Sequence, residues 1–236
     1  MLSPSLLRLV APLATVTALL AACGGAAAPV ASDAPTAAAT TSTPAPSATA
    51  TTTTTTSATW TVSNTSKATV RVREQLVGVN LPSDAVLVAT GATGTFVLKD
   101  DGTFSPDSKI TFDVTTLASD QRQRDDFVKM DTLQTRQFPT ATFVPTRTSG
   151  LAVPLPASGD FTFKLTGQIT IHGKTKDVTF DVTAHRSGNE LTATTTASPT
   201  WKFADFGMTA PSVPFRVVSV VDEIRLVVDL VATVKT

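Results

Sequence analysis

The residues that could do acid–base chemistry include only two histidines, and neither sits in a known catalytic motif. His172 falls at a predicted tight turn and His185 just past the end of a predicted strand. Both share the parity of the polar face of a hairpin, so we expect them to face solvent. The sequence holds no GxSxG, HExxH or P-loop pattern, which are the signatures of common hydrolases, zinc proteases and nucleotide-binding enzymes.

The charged residues that could act together are scattered along the chain. Acid–base or metal chemistry would need a carboxylate cluster, and the candidates are Arg124, Asp125, Asp126, Asp205, Asp222 and Glu223. Salt bridges and local caps are the favoured role for all of them. We therefore predict no enzyme activity, no metal site and no catalytic cofactor, with a hydrolase of unknown type as the minor alternative.

Cys23 is the only cysteine, and the residues before it form a recognisable sequence pattern. A leader with one basic residue, Arg8, and a short apolar run ends in Leu20-Ala21-Ala22 directly before it. This order looks like the lipobox of a bacterial lipoprotein, cut before Cys23 and acylated on its thiol; a plain secretory site cut after Ala22 is the alternative. A lone cysteine excludes an intramolecular disulfide and a CxxC pair. We predict an extracytoplasmic lipoprotein with residues 1–22 as its signal peptide, anchored to the cytoplasmic membrane.

The chain then divides into a tether and a domain. Residues 23–59 are almost entirely Ala, Thr, Ser and Pro, with Asp33 as the only charge, a composition that predicts a disordered tether. Subtracting Arg8 and Asp33 from the 19 basic and 19 acidic residues of the chain leaves 18 of each in residues 60–236. A neutral domain argues against nucleic acid as a partner. The oligomeric state is left open, and a homodimer is one alternative.

The elements that would position a site are β-strands, and the clearest pair lies between residues 161 and 184. One parity of the first strand is apolar except for a single glycine: Phe161, Phe163, Leu165, Gly167, Ile169 and Ile171. Because side chains alternate faces in a strand, this pattern predicts a strand with one buried face. A polar turn at residues 173–177 leads into a returning strand whose inward residues are Val178, Phe180, Val182 and Ala184. The segment therefore predicts an antiparallel hairpin.

Shorter alternating segments recur at residues 70–76, 85–88, 95–98, 110–114, 142–144, 190–196 and 224–234. Many short strands with polar turns predict an all-β sandwich or barrel. The exception is residues 119–130, where Ser119 or Asp120 could cap a short helix with Phe127 and Met130 on its inner face. The proline-rich run at residues 151–156 predicts an extended loop.

Five segments, in order, resemble the YceI-like family: residues 111–126, 137–146, 165–182, 203–208 and 220–226. They carry an Arg-Asp pair at Arg124-Asp125 and an Asp-Phe-Gly-Met run at residues 205–208. The chain departs from the family in two places. Residues 70–74, VRVRE, replace the commoner Phe-x-Val/Ile-x-His pattern, and residues 79–92 look like an insertion.

The resemblance implies an extended antiparallel β-barrel, lipocalin-like in general form, with a short helical insertion. Its interior would bind a polyisoprenoid or similar amphiphilic lipid, such as a quinone. The interior residues expected to contact the lipid are Phe96, Phe112, Phe127, Phe143, Phe161, Phe163, Leu165, Gly167, Ile169 and Phe180, and the glycine is expected to leave room for a lipid chain. The motif residues expected to be structural are Arg124, Asp125, Asp205, Phe206, Gly207 and Asp222.

We therefore predict a cell-envelope lipoprotein that binds lipid for storage, transport or a stress response. The alternative is a surface or stress protein whose barrel core is filled by its own side chains.

Overall fold

The computed structural model describes residues 58–212 and 216–234, which all belong to one compact unit, Thr53–Thr236. The predicted signal peptide at residues 1–22, the acylated Cys23 and nearly all of the predicted tether at residues 23–59 lie outside the described residues. In the part of the chain that is described, no helix has the length and apolar character needed to cross a membrane.

Ten strands and a few helical turns make up the described residues. The strands are β1 (Thr59–Val62), β2 (Lys67–Leu76), β3 (Ser83–Ala89), β4 (Thr93–Val97), β5 (Lys109–Asp113), β6 (Thr140–Ser149), β7 (Ser158–Ile171), β8 (Lys174–Ser187), β9 (Glu190–Ala197) and β10 (Val217–Val234). The α-helix α1 (Arg122–Phe127) continues into a π-turn (Val128–Thr132), and 3-10 turns lie at Val114–Thr116 and Phe203–Phe206.

The strands form an antiparallel meander that closes on itself. Each strand from β4 to β10 pairs with the next in the chain, and β10 then pairs with both β1 and β2. β2 lies beside the first part of β10, with Val70 opposite Leu226, and β1 lies beside its end, with Trp60 opposite Val234. β4 completes the ring by pairing with β1, and β3 extends the sheet beyond β2. This closed sheet with one short helix confirms the predicted all-β antiparallel barrel.

The hairpin of β7 and β8 forms with the predicted parity. Leu165 lies opposite Phe180 and is directed inward, while on the outer face Lys164 Nζ lies 2.5 Å from an Asp181 carboxylate oxygen. The turn is shorter than the sequence suggested, because residues 174–177 already belong to β8. His172-Gly173 form it, with φ values of 50° and 70°, the positive angles that a two-residue type I′ turn requires.

The run at residues 79–92, which looks like an insertion relative to the family, contributes the strand β3 to the barrel wall. β3 pairs with β2 along its whole length, from Ser83 to Ala89. Its alternate residues Ala85, Leu87 and Ala89 are buried. The N-terminal strands are therefore as complete as the rest of the barrel, despite their departure from the expected pattern.

The predicted helix caps at residues 119–120 are wrong. The N-cap of α1 is Gln121, which makes no capping hydrogen bond with its side chain. The Ser119 backbone N–H and hydroxyl instead both donate to Asp125 Oδ1, at 2.8 and 2.6 Å. Asp125, a residue of the helix, thus fixes the segment just before the helix through its side chain. This explains why residue 120 does not need to act as a cap.

The predicted inner face of the helix is also partly wrong. The π-turn inserts an extra residue into the helical turn, so the spacing that would bring Met130 under Phe127 is lost. Met130 is 58% exposed, whereas Val128 and Leu133 pack against the core. Phe127 stays half-buried.

Candidate functional site

The barrel interior contains a large cavity. Its volume is about 1100 Å³, and its walls are mostly aliphatic and aromatic; the aromatic side chains among them are Phe112, Phe127, Phe143, Phe180, Trp201, Phe203 and Phe206. Protein interiors hold few voids larger than a water molecule, whereas ligand pockets occupy roughly 300–1,000 Å³. The cavity therefore has the size of a ligand site, not of a packing defect.

Most of the residues expected to contact a lipid line this cavity. They are Phe112, Phe127, Phe143, Leu165, Ile169 and Phe180. Phe180 stands between two other rings of the wall, with its centroid 5.3 Å from that of Phe143 and 6.0 Å from that of Trp201. These edge-to-face contacts fix the rings as one rigid side of the cavity.

Phe96, Phe161 and Phe163 do not line the large cavity, contrary to expectation. They surround a separate space of about 70 Å³ at the other part of the barrel, where Phe96 stacks on Trp60 at 6.2 Å. β7 is 14 residues long, so its two halves face different parts of the interior. The sequence therefore predicted correctly that these side chains of β7 face the interior, but not which space they border.

Gly167 does not leave room for a ligand either. A Cβ atom placed on it would lie 2.6 Å from ring atoms of Phe143 and 2.4 Å from the Val144 carbonyl oxygen. Phe143 lies on the neighbouring strand, opposite Ile169, and its ring covers the bare backbone. A mid-strand glycine marks either a bend or a place where another group packs closely against the backbone. In this structure Gly167 allows the close packing of a protein side chain.

The N-terminal strands and β10 contribute wall residues that sequence reasoning did not include. They are Val70, Val72, Ala85, Leu87, Leu226 and Val228. Each belongs to a segment whose period-2 alternation was visible in the sequence. The signal was present, but the departure of residues 70–74 and the apparent insertion at residues 79–92 kept the N-terminal strands out of the predicted site. Residues 224–234 were predicted as a strand without a role in the site.

One part of the cavity wall is polar. Arg124 Nη2 donates to Glu74 Oε1 at 2.6 Å, and Arg124 Nη1 donates to Asp120 Oδ1 at 2.6 Å. The side chains of Arg124 and Glu74 are only 17% and 8% exposed, whereas that of Asp120 is 75% exposed. Arg124 and Glu74 both line the cavity, so an ion pair borders a mostly apolar space.

The motif at residues 203–208 positions two rings of the wall. Phe206 is fully buried and Phe203 nearly so, and backbone hydrogen bonds hold their turn: Asp205 accepts from Lys202 N–H and Asp222 accepts from Phe203 N–H, each at 2.9 Å. Gly207 ends the turn with a φ of +67°. These hydrogen bonds therefore hold two side chains of the cavity wall in place.

A hydrogen-bonded salt bridge secures the same turn to β8. Lys176 Nζ lies 2.6 Å from Asp205 Oδ1. This contact, together with the hydrogen bond from Lys202 N–H, holds the pKa of Asp205 below its ordinary value. The carboxylate is therefore charged over the whole physiological range.

The histidines have different surroundings. His185 is exposed and pairs with Asp160 at 2.8 Å, as expected of a solvent-facing residue. The expectation for His172 is wrong: Nδ1 contacts the Phe206 carbonyl oxygen at 3.2 Å, the ring packs on Phe138 at 4.7 Å, and Nε2 is enclosed without a hydrogen-bond partner. Across residues 58–212 and 216–234, no three His, Cys, Asp or Glu side chains are grouped to hold a metal ion.

The cavity reaches solvent at the turn between β2 and β3. Val77 and Val79 line it and yet are 53% and 46% exposed. Val77 N–H donates to the Arg216 carbonyl oxygen at 2.9 Å, which joins this turn to the start of β10. Because both valine side chains are apolar, the opening has an apolar rim.

A closed antiparallel barrel with an apolar cavity belongs to the class of small barrels whose interior can hold one small ligand. The chain belongs to the YceI-like domain family, whose model matches residues 47–232. This match confirms the resemblance found in the five sequence segments.

Individual relatives agree with the family. The chain is 36% identical over 132 residues to a UPF0312 protein of Pseudomonas putida and 37% identical over 132 residues to one of Pseudomonas fluorescens. Each alignment covers 50% of this chain and 64% of the relative. The chain thus spans just under two thirds of the length of these curated relatives.

Two solved structures are similar to the barrel. A polyisoprenoid binding domain from Saccharophagus degradans matches with a TM-score of 0.55 and 12% identity, covering 76% of this chain and 100% of that one. BcnA of Burkholderia cenocepacia matches with a TM-score of 0.52 and 23% identity, covering 71% of this chain and 96% of that one. At such identities the likeness establishes the shared fold.

Proposed function

We propose that this chain is a cell-envelope lipoprotein whose barrel binds a polyisoprenoid or similar amphiphilic lipid, such as a quinone, in the large cavity. The observation that carries the proposal is the apolar space of about 1100 Å³ inside the barrel. The shared fold with the polyisoprenoid binding domain of Saccharophagus degradans supports the same ligand class. Storage, transport or a stress response would each use such a site.

The energetics favour a long ligand chain. One buried five-carbon unit contributes about 4 kcal/mol at about 0.8 kcal/mol per carbon. Association itself costs some 4–15 kcal/mol, so one unit barely offsets the lower bound. Three or four units contribute roughly 12–16 kcal/mol before losses, enough for useful affinity.

The alternative of a filled barrel is less well supported. A filled core would bring inward rings such as Phe112 and Phe180 into contact across the interior, whereas both border open space. The small space around Phe161 and Phe163 shows what a nearly filled part of this barrel looks like, at about 70 Å³. The two parts differ by more than tenfold in volume.

The exposed rim suggests how a lipid would enter. Val77 and Val79 continue the cavity lining to the surface, so a chain passing between them would keep apolar contacts along its route. An acylated Cys23 would attach the chain to a membrane, the source of such a lipid. One acyl chain gives only marginal attachment, so we expect two or more.

The decisive experiment is a chain-length titration. Delipidated protein is mixed with prenyl alcohols of two, three and four isoprene units, and binding is followed through the fluorescence of Trp201, which lines the cavity. Affinity should rise steeply with each added unit because burial is the main driving force. Native mass spectrometry of the protein as purified should show a bound lipid.

The control uses the other tryptophan. Trp60 does not border the large cavity; it stacks on Phe96 and lies under Arg186. In a Trp201→Phe variant the fluorescence response should therefore disappear while mass spectrometry still detects the complex. If affinity does not change with chain length, burial does not hold the ligand and the proposed function is wrong.

A further inference from the structure

Glu74 is the acidic residue of the cavity wall. Among the side chains that line the space, the polar ones are Glu74, Gln121, Gln123, Arg124, Arg216 and a few threonines. Glu74 lies in β2 between Ser83 of β3 and Val220 of β10, and its residue exposure is 7%. A carboxylate is thus fixed in the wall by strands on both sides.

The ion pair with Arg124 is a costly way to stabilise a wall. Removing two charges from water carries a desolvation penalty that often exceeds their attraction, and apolar residues of similar volume frequently serve as well or better. The apolar residues along the rest of β2 that line the cavity, Val70 and Val72, show that this strand is suited to an apolar wall. Stability alone therefore does not account for a carboxylate at position 74.

The unused acceptor of this pair is on the carboxylate, because a guanidinium carries donors only. The two terminal nitrogens of Arg124 are directed at carboxylates, Nη2 at Glu74 Oε1 and Nη1 at Asp120 Oδ1. No donor among the described residues reaches Glu74 Oε2, and this atom is not among the enclosed, unpartnered ones. Because Glu74 lines the cavity, we assign Oε2 to the cavity surface, where it can accept a hydrogen bond.

We propose that Glu74 Oε2 selects lipids whose polar head donates a hydrogen bond, such as a hydroxyl group, and that Arg124 positions the carboxylate. This inference rests on the proposed lipid-binding function and names the head group that the site prefers. A neutral alcohol or phenol fits an acceptor whose carboxylate is already paired with Arg124. Gln121 and Gln123 carry both donors and an acceptor, so they do not discriminate in this way.

The test compares head groups on one chain. Geranylgeraniol, its methyl ether and geranylgeranyl phosphate are titrated into the delipidated full-length protein, again with Trp201 as the reporter. A hydrogen bond to a charged group is worth more than one between neutral groups, so the alcohol should bind about tenfold or more tightly than the ether. The ether keeps the chain and the acceptor oxygen and lacks only the donor.

The variant Glu74→Gln tests the assignment of the residue. Its amide oxygen can still accept from Arg124, which leaves the NH₂ group towards the cavity and turns an acceptor into a donor. The preference for the alcohol should disappear or reverse, while both ligands still bind. Any steric effect of the ether methyl group is the same in both proteins. Glu190→Gln, at an exposed position outside the cavity lining, should behave like wild type.

A role that is only structural gives a different result. If Glu74 merely anchors α1, Glu74→Gln should weaken the alcohol and the ether equally. Should this variant fail to fold, Glu74→Asp keeps the charge but withdraws the carboxylate by one methylene, and the preference should shrink.

The head-group inference and the proposed function fail separately. A wild-type protein that binds long chains but does not distinguish alcohol from ether overturns the inference alone, as does tightest binding of the phosphate. Absence of any chain-length dependence overturns the proposed function and the inference with it.

Discussion

Replacing Gly167 by alanine should destabilise the barrel rather than impair ligand entry. The new Cβ would meet Phe143 ring atoms at 2.6 Å and the Val144 carbonyl oxygen at 2.4 Å. The ring can rotate into the cavity, but the carbonyl is part of β6 and moves only with its strand. Overpacking of this kind costs about 1–3 kcal/mol, and alanine recovers about 0.5–1 kcal/mol of the intrinsic penalty of a glycine in a strand. The net loss should be about 1–2 kcal/mol.

The assay is urea unfolding, with thermal melting as a second measurement. For a domain of this size the expected fall in Tm is about 2–8 °C. Gly188→Ala is a useful comparison, because a Cβ there meets no atom within 4 Å and only its φ of +58° causes strain. The double variant Phe143→Leu/Gly167→Ala should lose less than the sum of the single changes, since the smaller side chain removes one of the two clashes. A neutral or stabilised Gly167→Ala protein would refute the reasoning.

Three further predictions concern the small space, the motif turn and the anchor. Phe163→Ala should cost roughly 3 kcal/mol of stability and leave lipid titrations unchanged, because the ring borders the small space; weaker binding without lost stability would contradict this. Asp205→Asn should lower stability at neutral pH, because Lys176 and the Lys202 N–H hold the pKa of Asp205 below its ordinary value and so stabilise the charged carboxylate in the folded protein. This stabilisation is lost as the pH falls through the lowered pKa, so the melting curves of the two proteins should converge only below about pH 4. Cys23→Ala should move the protein out of the membrane fraction of fractionated cells, and unchanged membrane association would exclude an acyl anchor.

The local pattern of the sequence was sufficient for the strands. Alternation at residues 161–184 predicted the inward face of β7 and β8 because side-chain direction in a strand depends only on parity. The same pattern at Val70 and Val72 predicted the strand β2, although neither residue was predicted to line the cavity. Five motif segments in order then indicated the family, and with it the closed barrel.

The contents of the interior could not be predicted in the same way. Whether Phe163 meets a cavity or a filled region depends on Trp60 and Phe96, which lie far away in the sequence. The close packing at Gly167 depends on a ring from the neighbouring strand, and the face of α1 depends on a π-turn that no residue pattern announced. Each miss involves a neighbour in space rather than a neighbour in the chain.

The closure of the barrel by its last strand has a consequence for how the chain folds. β10 is an 18-residue strand, and its residue Val231 donates its backbone N–H to the Ser66 hydroxyl across 165 positions of sequence. A chain that emerges from its N-terminal end therefore carries β1 to β9 as an open sheet, with an apolar face and unpaired edges that favour aggregation. Non-local pairing of this kind is slow to form. The barrel can thus close only after almost the whole domain has emerged. A nascent chain that ends within β10 should therefore form an open, aggregation-prone sheet instead of a smaller barrel.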